Sequence, residues 1–429
     1  MAEEATAQEF DILILGGGSG GYAAALRSVE LGFSVGLIEK GKLGGTCLHN
    51  GCIPTKALLH SAEIAENAKT AEKYGIKATF DSVDMNAVNA YKDNIIAGKF
   101  RGLQGLIKSK GITVIEGEGR LTSEKTIEVN GRTYTGSNII LATGSYSRSL
   151  PGLEIGGRVI TSDQALTLDY VPKSAVILGG GVIGVEFASV WNSFGVDVTI
   201  VEGLPSLVPN EHAAIIKNLE RAYKKRGIKF STGIFFEKVE QNDDGVVVTL
   251  ADGKTFEAEL LLVAVGRGPV TANLGYEEAG LTMDRGFVIT NERLHTGVGN
   301  VCAVGDIVPG LQLAHRGFQQ GILVAEEIAG LKPVVVEDVN IPKVTYCEPE
   351  IASVGLTEAK AKEKLGADNV QVQEYNLAGN GKTSILGSSG LIKMVREKDG
   401  PIIGVHMIGG RIGEQIGEAQ LIVNWEAYP

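Results

Sequence analysis

The chain has 429 residues, 44% hydrophobic and 21% charged, a globular composition that excludes wholesale disorder; at roughly 100–200 residues per domain the length suggests two to four domains. A formal net charge of −11 argues against nucleic acid as the main partner, because phosphate backbones are held by Lys/Arg surfaces. Four cysteines exclude a small-secreted-domain disulfide framework, while 58 glycines without a Gly-X-Y period point to tight turns or phosphate-cradling loops.

The first ten residues are acidic and lack a basic leader region, and no run of about 18 apolar residues follows, so no signal peptide and no membrane span are expected and cytoplasmic residence is the default. Residues 10–15 read as a buried strand, followed by the loop Gly16-Gly17-Gly18-Ser19-Gly20-Gly21, a helix over 22–31 and a second strand over 35–38 that ends at Glu39. An apolar strand, a GxGxxG turn, a helix and a later acidic residue are the context that marks a dinucleotide-binding unit. The glycines give the turn and let the backbone approach a pyrophosphate, the helix N-terminus faces its charge, and the carboxylate accepts ribose hydroxyls.

Next comes Gly44-Gly45-Thr46-Cys47-Leu48-His49-Asn50-Gly51-Cys52-Ile53-Pro54-Thr55-Lys56. In an ideal helix, residues five apart have Cα atoms roughly 8–9 Å apart, beyond the about 7 Å a disulfide tolerates. Pairing Cys47 with Cys52 therefore needs distorted backbone, which Asn50-Gly51 permits, and a distorted, reducible disulfide suits a catalytic thiol pair. A zinc site would need about four ligands, and although His49 and His60 are near, the usual cysteine spacing and a second pair are missing, so no metal is expected. Two incidental buried thiols are the plain alternative. Lys56, on the apolar-faced helix that starts at Pro54, is either structural or a contact to a flavin edge.

Residues 138–144 form an apolar strand ending in glycine. Residues 175–178 then repeat the opening plan, with Gly179-Gly180-Gly181-Val182-Ile183-Gly184, a helix to Phe194 and a strand over 196–201 ending at Glu202; the acidic residue stands at the same distance from the first glycine in both copies. The alternative is two glycine-rich turns without ligands. Residues 203–209 contain no Arg or Lys, and Glu202 would repel a 2′-phosphate, so the second site should prefer NAD over NADP. Residues 261–266 end a matching strand, residues 300–306 end a third one at Asp306, and from Ile341 a separate α+β domain begins, with helices over 357–365 and 413–424. Thiols exchange electron pairs by covalent attack and nicotinamides carry hydride; a flavin does both, so the first site is expected to hold FAD.

The Gly44–Lys56 run, both glycine loops, Ala142-Thr143-Gly144, Ala303-Val304-Gly305-Asp306 and the C-terminal helix together resemble the pyridine nucleotide–disulfide oxidoreductase family over nearly the whole chain. The resemblance implies an α/β fold with two Rossmann-like dinucleotide-binding domains, FAD over 1–150 and 273–340 and NAD over 151–272, plus a C-terminal α+β dimerisation domain over 341–429 that makes a homodimer. Cys47 would be the interchange thiol and Cys52 the flavin-facing thiolate. Lys56 would lie near the flavin, with Glu186 against it on the nicotinamide side. Implied FAD contacts are Gly16, Gly18, Gly21, Glu39, Lys40, Gly45, Thr46, Lys56, Gly119, Thr143, Gly144, Asp306 and Ala314; implied NAD contacts are Gly179, Gly181, Gly184, Glu202, Val239 and Gly266. His315 matches a position beside the flavin, with a plain helix-start histidine as the alternative.

The implied activity is oxidation of protein-bound dihydrolipoamide to lipoamide with NAD+, serving the lipoyl domains and core subunits of a 2-oxoacid dehydrogenase complex. Another small-disulfide or metal-ion reductase of the family, or a non-catalytic flavoprotein partner of a complex, stays open. The resemblance also implies, past the position of Pro429, a His-Pro segment with a glutamate five residues after the histidine, presented as general base to the other subunit. The sequence stops before that segment and none of the six histidines is its equivalent, so either the chain is cut short here or the base is lacking, a loss that costs about 10²–10⁴ in rate.

Overall fold

A computed structural model describes residues 8–429, so most of the leader-free reading of the N-terminus lies outside the described residues. The chain forms two compact units. The first comprises the described residues up to Pro54 together with Asp93–Tyr146 and Arg267–Asp338; the second comprises Thr55–Lys92, Ser147–Gly266 and Val339–Pro429.

In the first unit the strand Gln8–Leu15 lies in parallel register between Val35–Glu39, with Ile12 opposite Val35, and Arg132–Leu141, with Leu15 opposite Leu141. Thr113–Glu116 and Val301–Ala303 extend the parallel part of the sheet, and the antiparallel strands Gly119–Ser123 and Thr126–Val129 complete it. Ile12 to Leu15 are all buried, as a strand covered on both faces requires. The helices Ser19–Glu30 and Ala314–Ile328 pack together closely because both present glycine: a Cβ on Gly321 would come within 2.3 Å of the Gly20 carbonyl oxygen.

The second unit repeats the parallel plan in the order Lys229–Thr232, Asp197–Glu202, Ser174–Leu178, Leu260–Val263, Val159–Thr161. An antiparallel three-stranded sheet, Phe236–Gln241, Val246–Leu250 and Thr255–Ala258, follows in sequence. The C-terminal part is a five-stranded antiparallel sheet in the order Lys343–Thr345, Glu350–Gly355, Ile402–Gly409, Leu391–Glu397, Val370–Asn376, the α+β segment expected from Ile341. Leu58, Ala62 and Ala65 share one core with Phe187, Trp191, Ile351 and Ile408.

Several expected boundaries move; the strands expected over 138–144 and 261–266 end at Leu141 and Val263, before their glycines. The helix after the cysteines is Cys52–Thr70 and begins before Pro54, which sits in the first turn where a missing N–H costs no bond. The third strand stops at Ala303, and Asp306 lies in the 3₁₀ turn Gly305–Ile307. The C-terminal helix is split into a 3₁₀ turn Ile412–Gln415 and the helix Ile416–Asn424. Among the described residues no helix is long and apolar enough to cross a membrane.

Candidate dinucleotide and dithiol sites

The two glycine loops agree bond for bond. Gly16 has φ 107° and Gly179 φ 113°, and a Cβ there would lie 2.2 Å from the Ala142 carbonyl oxygen or 2.3 Å from that of Ala264. A Cβ on Gly21 would lie 1.8 Å from the Gly16 oxygen, and one on Gly184 1.9 Å from the Gly179 oxygen. Only glycine fits these four positions. Both following helices, Ser19–Glu30 and Val182–Phe194, have glycine N-caps, Gly18 and Gly181, and no side chain caps their first N–H groups. Those donors are of the kind that hold a pyrophosphate. Glu39 accepts from the N–H groups of Gly17 and Gly41, each at 2.7 Å; Glu202 accepts from Gly180 at 2.6 Å and Leu204 at 2.8 Å. Each carboxylate is thereby fixed at the lip of its loop, so the residues present fit one dinucleotide per copy.

The dithiol segment is seated on the first loop. The Gly44 N–H donates to the Gly17 carbonyl at 2.9 Å, and Gly45, at φ 59°, lies so close that a Cβ would stand 2.7 Å from the Gly18 Cα. Cys47 lies in the short helix Gly45–His49, and Cys52 opens the next one; both are half-buried. The break falls at Asn50, whose N–H donates to the Thr46 carbonyl at 2.8 Å and whose backbone leaves helical values at φ −133°. Gly51 does not take the left-handed conformation. Its requirement is close approach, since a Cβ would sit 3.0 Å from the Thr46 carbonyl oxygen.

Burial pushes the Tyr22 phenol up to about 12, and Cys47 and Cys52 act in the same direction. His49 bonds the Leu43 carbonyl at 2.9 Å and meets Phe100 edge-on at 5.2 Å, so it braces the segment. The remaining thiols are core residues: burial pushes Cys302 up to about 12 and raises Cys347, which keeps both protonated and inert.

At the strand exits, Thr143 donates to the Val270 carbonyl at 2.6 Å and Gly144 has φ 75°. Asp306 accepts from the Ser145 hydroxyl at 2.5 Å; Arg267 donates to the same hydroxyl at 2.8 Å and to the Ser145 carbonyl at 2.7 Å. Sequence reasoning did not single out Ser145 or Arg267, although each directly follows a glycine that ends a recognised strand. Gln320 accepts from the Gly305 N–H at 2.7 Å and fixes the turn that carries Asp306. Ala314 opens its helix, His315 is exposed on the first turn, and Lys40 forms an exposed 3.1 Å ion pair with Glu118. Gly119 is enclosed by core, since a Cβ would meet the Leu15 side chain at 2.6 Å.

In the second unit the Lys56 ammonium donates to both oxygens of Glu186 at 3.0 Å and stands 4.8 Å from the centroid of the Tyr346 ring. The Tyr346 N–H donates to Glu186 at 2.8 Å, a partner that sequence spacing did not bring out. Val239 pairs with Val248 in the antiparallel sheet, half-buried, and Gly266, at φ 108°, accepts from the Arg148 N–H at 3.0 Å.

A family model described as pyridine nucleotide-disulphide oxidoreductase matches residues 10–321, and one for the dimerisation domain of the same proteins matches residues 341–429. A dihydrolipoyl dehydrogenase of Bacillus subtilis is 39% identical, covering 99% of this chain and 93% of its own; one of Geobacillus stearothermophilus is 39% identical, covering 97% and 90%. The solved structure of LpdA from Mycobacterium tuberculosis superimposes with a TM-score of 0.90 at 25% identity, covering 98% of this chain and 94% of that one.

Proposed function

This chain belongs to the pyridine nucleotide-disulphide oxidoreductase family, and from that premise we propose that it oxidises protein-bound dihydrolipoamide to lipoamide with NAD+, through Cys47, Cys52 and FAD, as a cytoplasmic component of a 2-oxoacid dehydrogenase complex. FAD and NAD are the cofactors of the family, and the dimerisation domain makes the protein a homodimer. In this reading residues 1–150 and 273–340 hold FAD, residues 151–272 hold NAD, and residues 341–429 pair the two copies.

The observation that carries the reading is the seat of the dithiol helix on the first glycine loop, Gly45 against Gly18. A bound flavin takes an electron pair from a dithiol and passes it to NAD+ as hydride. The protein's own part is exchange: a substrate thiolate attacks the Cys47 sulfur of the Cys47–Cys52 disulfide and Cys52 leaves as thiolate. The second substrate thiol then attacks the mixed disulfide, releasing lipoamide and the Cys47 thiolate. Lys56 and Glu186 hold one another in place, and Ser145 with Arg267 fixes the Asp306 carboxylate.

Anaerobic titration of the holoenzyme with dihydrolipoamide tests this. A long-wavelength absorbance band is expected after two electrons in the wild type and is absent in Cys52→Ser. A spectrum untouched by the dithiol, yet bleached by NADH, would overturn the dithiol assignment while leaving the nicotinamide site standing.

A further inference from the structure

Phe235 is an aromatic residue whose placement the core does not explain. It is 66% exposed, whereas its neighbour Phe236 packs against the interior cluster of Leu153, Val248 and Leu250. The ring lies across Gly203, where a Cβ would stand 2.8 Å from both Cδ1 and Cε1.

The backbone brings these residues to the ligand end of the sheet. The strands Asp197–Glu202 and Lys229–Thr232 run parallel and finish level, Glu202 opposite Thr232. The loops beyond them are tied by the Gly233 N–H donating to the Leu204 carbonyl at 2.8 Å, and Leu204 is itself 48% exposed. In open α/β sheets ligands bind beyond the carboxyl ends of the strands, and Glu202 stands at that edge. At the corresponding edge of the first copy Lys40 pairs with Glu118 instead. An apolar ring held in water beside a carboxylate therefore belongs to the second copy, where burial by a planar ligand would offset its exposure.

We infer that Phe235, with Leu204, is the wall on which the adenine ring of the nicotinamide dinucleotide stacks, and that Gly203 is glycine because the ring covers it. Phe235 is a positioning residue for the cosubstrate. Its placement also bears on nucleotide choice: an arginine at 203, suited to a 2′-phosphate, would displace the ring, so adenine stacking and exclusion of NADP share one device. This inference rests on the second glycine loop being the NAD site.

The test uses the FAD-loaded dimer with ADP-ribose and nicotinamide mononucleotide as competitors of NADH. Base–aromatic stacking is worth enough that Phe235→Ala should weaken ADP-ribose about tenfold, raise KM for NAD+ similarly, and leave kcat and nicotinamide mononucleotide binding unchanged. Phe235→Trp should retain the affinity. Gly203→Ala should lose it too, yet add nothing in the Phe235→Ala background, because both changes remove the same contact. Unchanged ADP-ribose affinity in Phe235→Ala overturns the wall; wild-type enzyme that does not bind ADP-ribose overturns the NAD assignment of the loop itself.

Discussion

The Lys56 ammonium is shared equally by the two oxygens of Glu186, 3.0 Å from each, and the carboxylate is almost wholly buried while the lysine is a third exposed. Among the described residues Glu186 has one further hydrogen bond, from the Tyr346 N–H. Removing the lysine therefore leaves a buried charge with a single neutral donor. Lys56→Met is expected to lower stability by about 3 kcal/mol, because breaking a buried pair from one side strands the other charge. Glu186→Gln keeps an acceptor for Tyr346 and strands no carboxylate, so its loss should be about 1 kcal/mol. Urea unfolding of both variants measures this, and equal losses would refute the asymmetry.

The matched glycine loops allow the two cofactor sites to be separated. At Gly21 and at Gly184 an added methyl would press on a backbone carbonyl oxygen, not on a movable side chain. Gly21→Ala should purify without flavin absorbance. Gly184→Ala should keep its flavin but need roughly tenfold or more NADH to bleach it, the effect of about 1.4 kcal/mol or more of lost binding. Loss of flavin from Gly184→Ala with retention in Gly21→Ala would reverse the assignment.

Both loops were legible in the sequence because each lies inside one βαβ unit: apolar runs set the strands, and glycine spacing set the turn. Ser145, Arg267 and Asp306 were legible only one at a time. Their hydrogen bonds join three strand exits distant in sequence, and no local pattern encodes that meeting. Tyr346 was missed for the same reason, since it reaches Glu186 from the C-terminal sheet. The Asn50-Gly51 break was legible in the residue types, but the close approach of Gly51 to the Thr46 carbonyl was not, because it leaves no trace in residue spacing.

A histidine pair in the second unit gives the protein an acid limit. His406 is buried, its Nε2 bonds the Leu356 carbonyl at 2.9 Å and its Nδ1 has no hydrogen-bond partner among the described residues; burial pushes it down to about 4. The His212 ring lies tilted by 40° against it with the centroids 5.4 Å apart; His212 accepts from the Ala214 N–H, lies 3.5 Å from Glu358, and is lowered by burial and then by Lys393. The unfolded chain takes up protons near the ordinary histidine value of about 6.5, whereas the folded one does not until well below it. Stability is therefore full above that value and is lost as pH falls from about 6.5 towards 4. Denaturation midpoints at a series of pH values should show this slope in the wild type and a shallower one in His406→Gln; identical slopes would show that the pair does not carry it.

Gly51 ties backbone geometry to the dithiol step. Cys47 and Cys52 are presented by two helices that meet at Asn50-Gly51, and the Thr46 carbonyl, which accepts the Asn50 N–H, leaves little room for a side chain at 51, a Cβ standing 3.0 Å from its oxygen. A valine there must push the Thr46 carbonyl away or shift the start of the Cys52 helix; either movement changes the separation of two sulfurs that must reach bonding distance. Disulfide geometry tolerates little change, so Gly51→Val should slow dihydrolipoamide oxidation by at least about tenfold. The glycine loops and Glu186 lie outside this contact, so NADH oxidation with ferricyanide, which bypasses the thiols, should keep its wild-type rate. Parallel loss of both activities would mean that the change disturbs the contact of Gly45 with Gly18, the proposed flavin seat, rather than the sulfur geometry; preserved activity in both would mean that the Thr46 contact does not set that geometry.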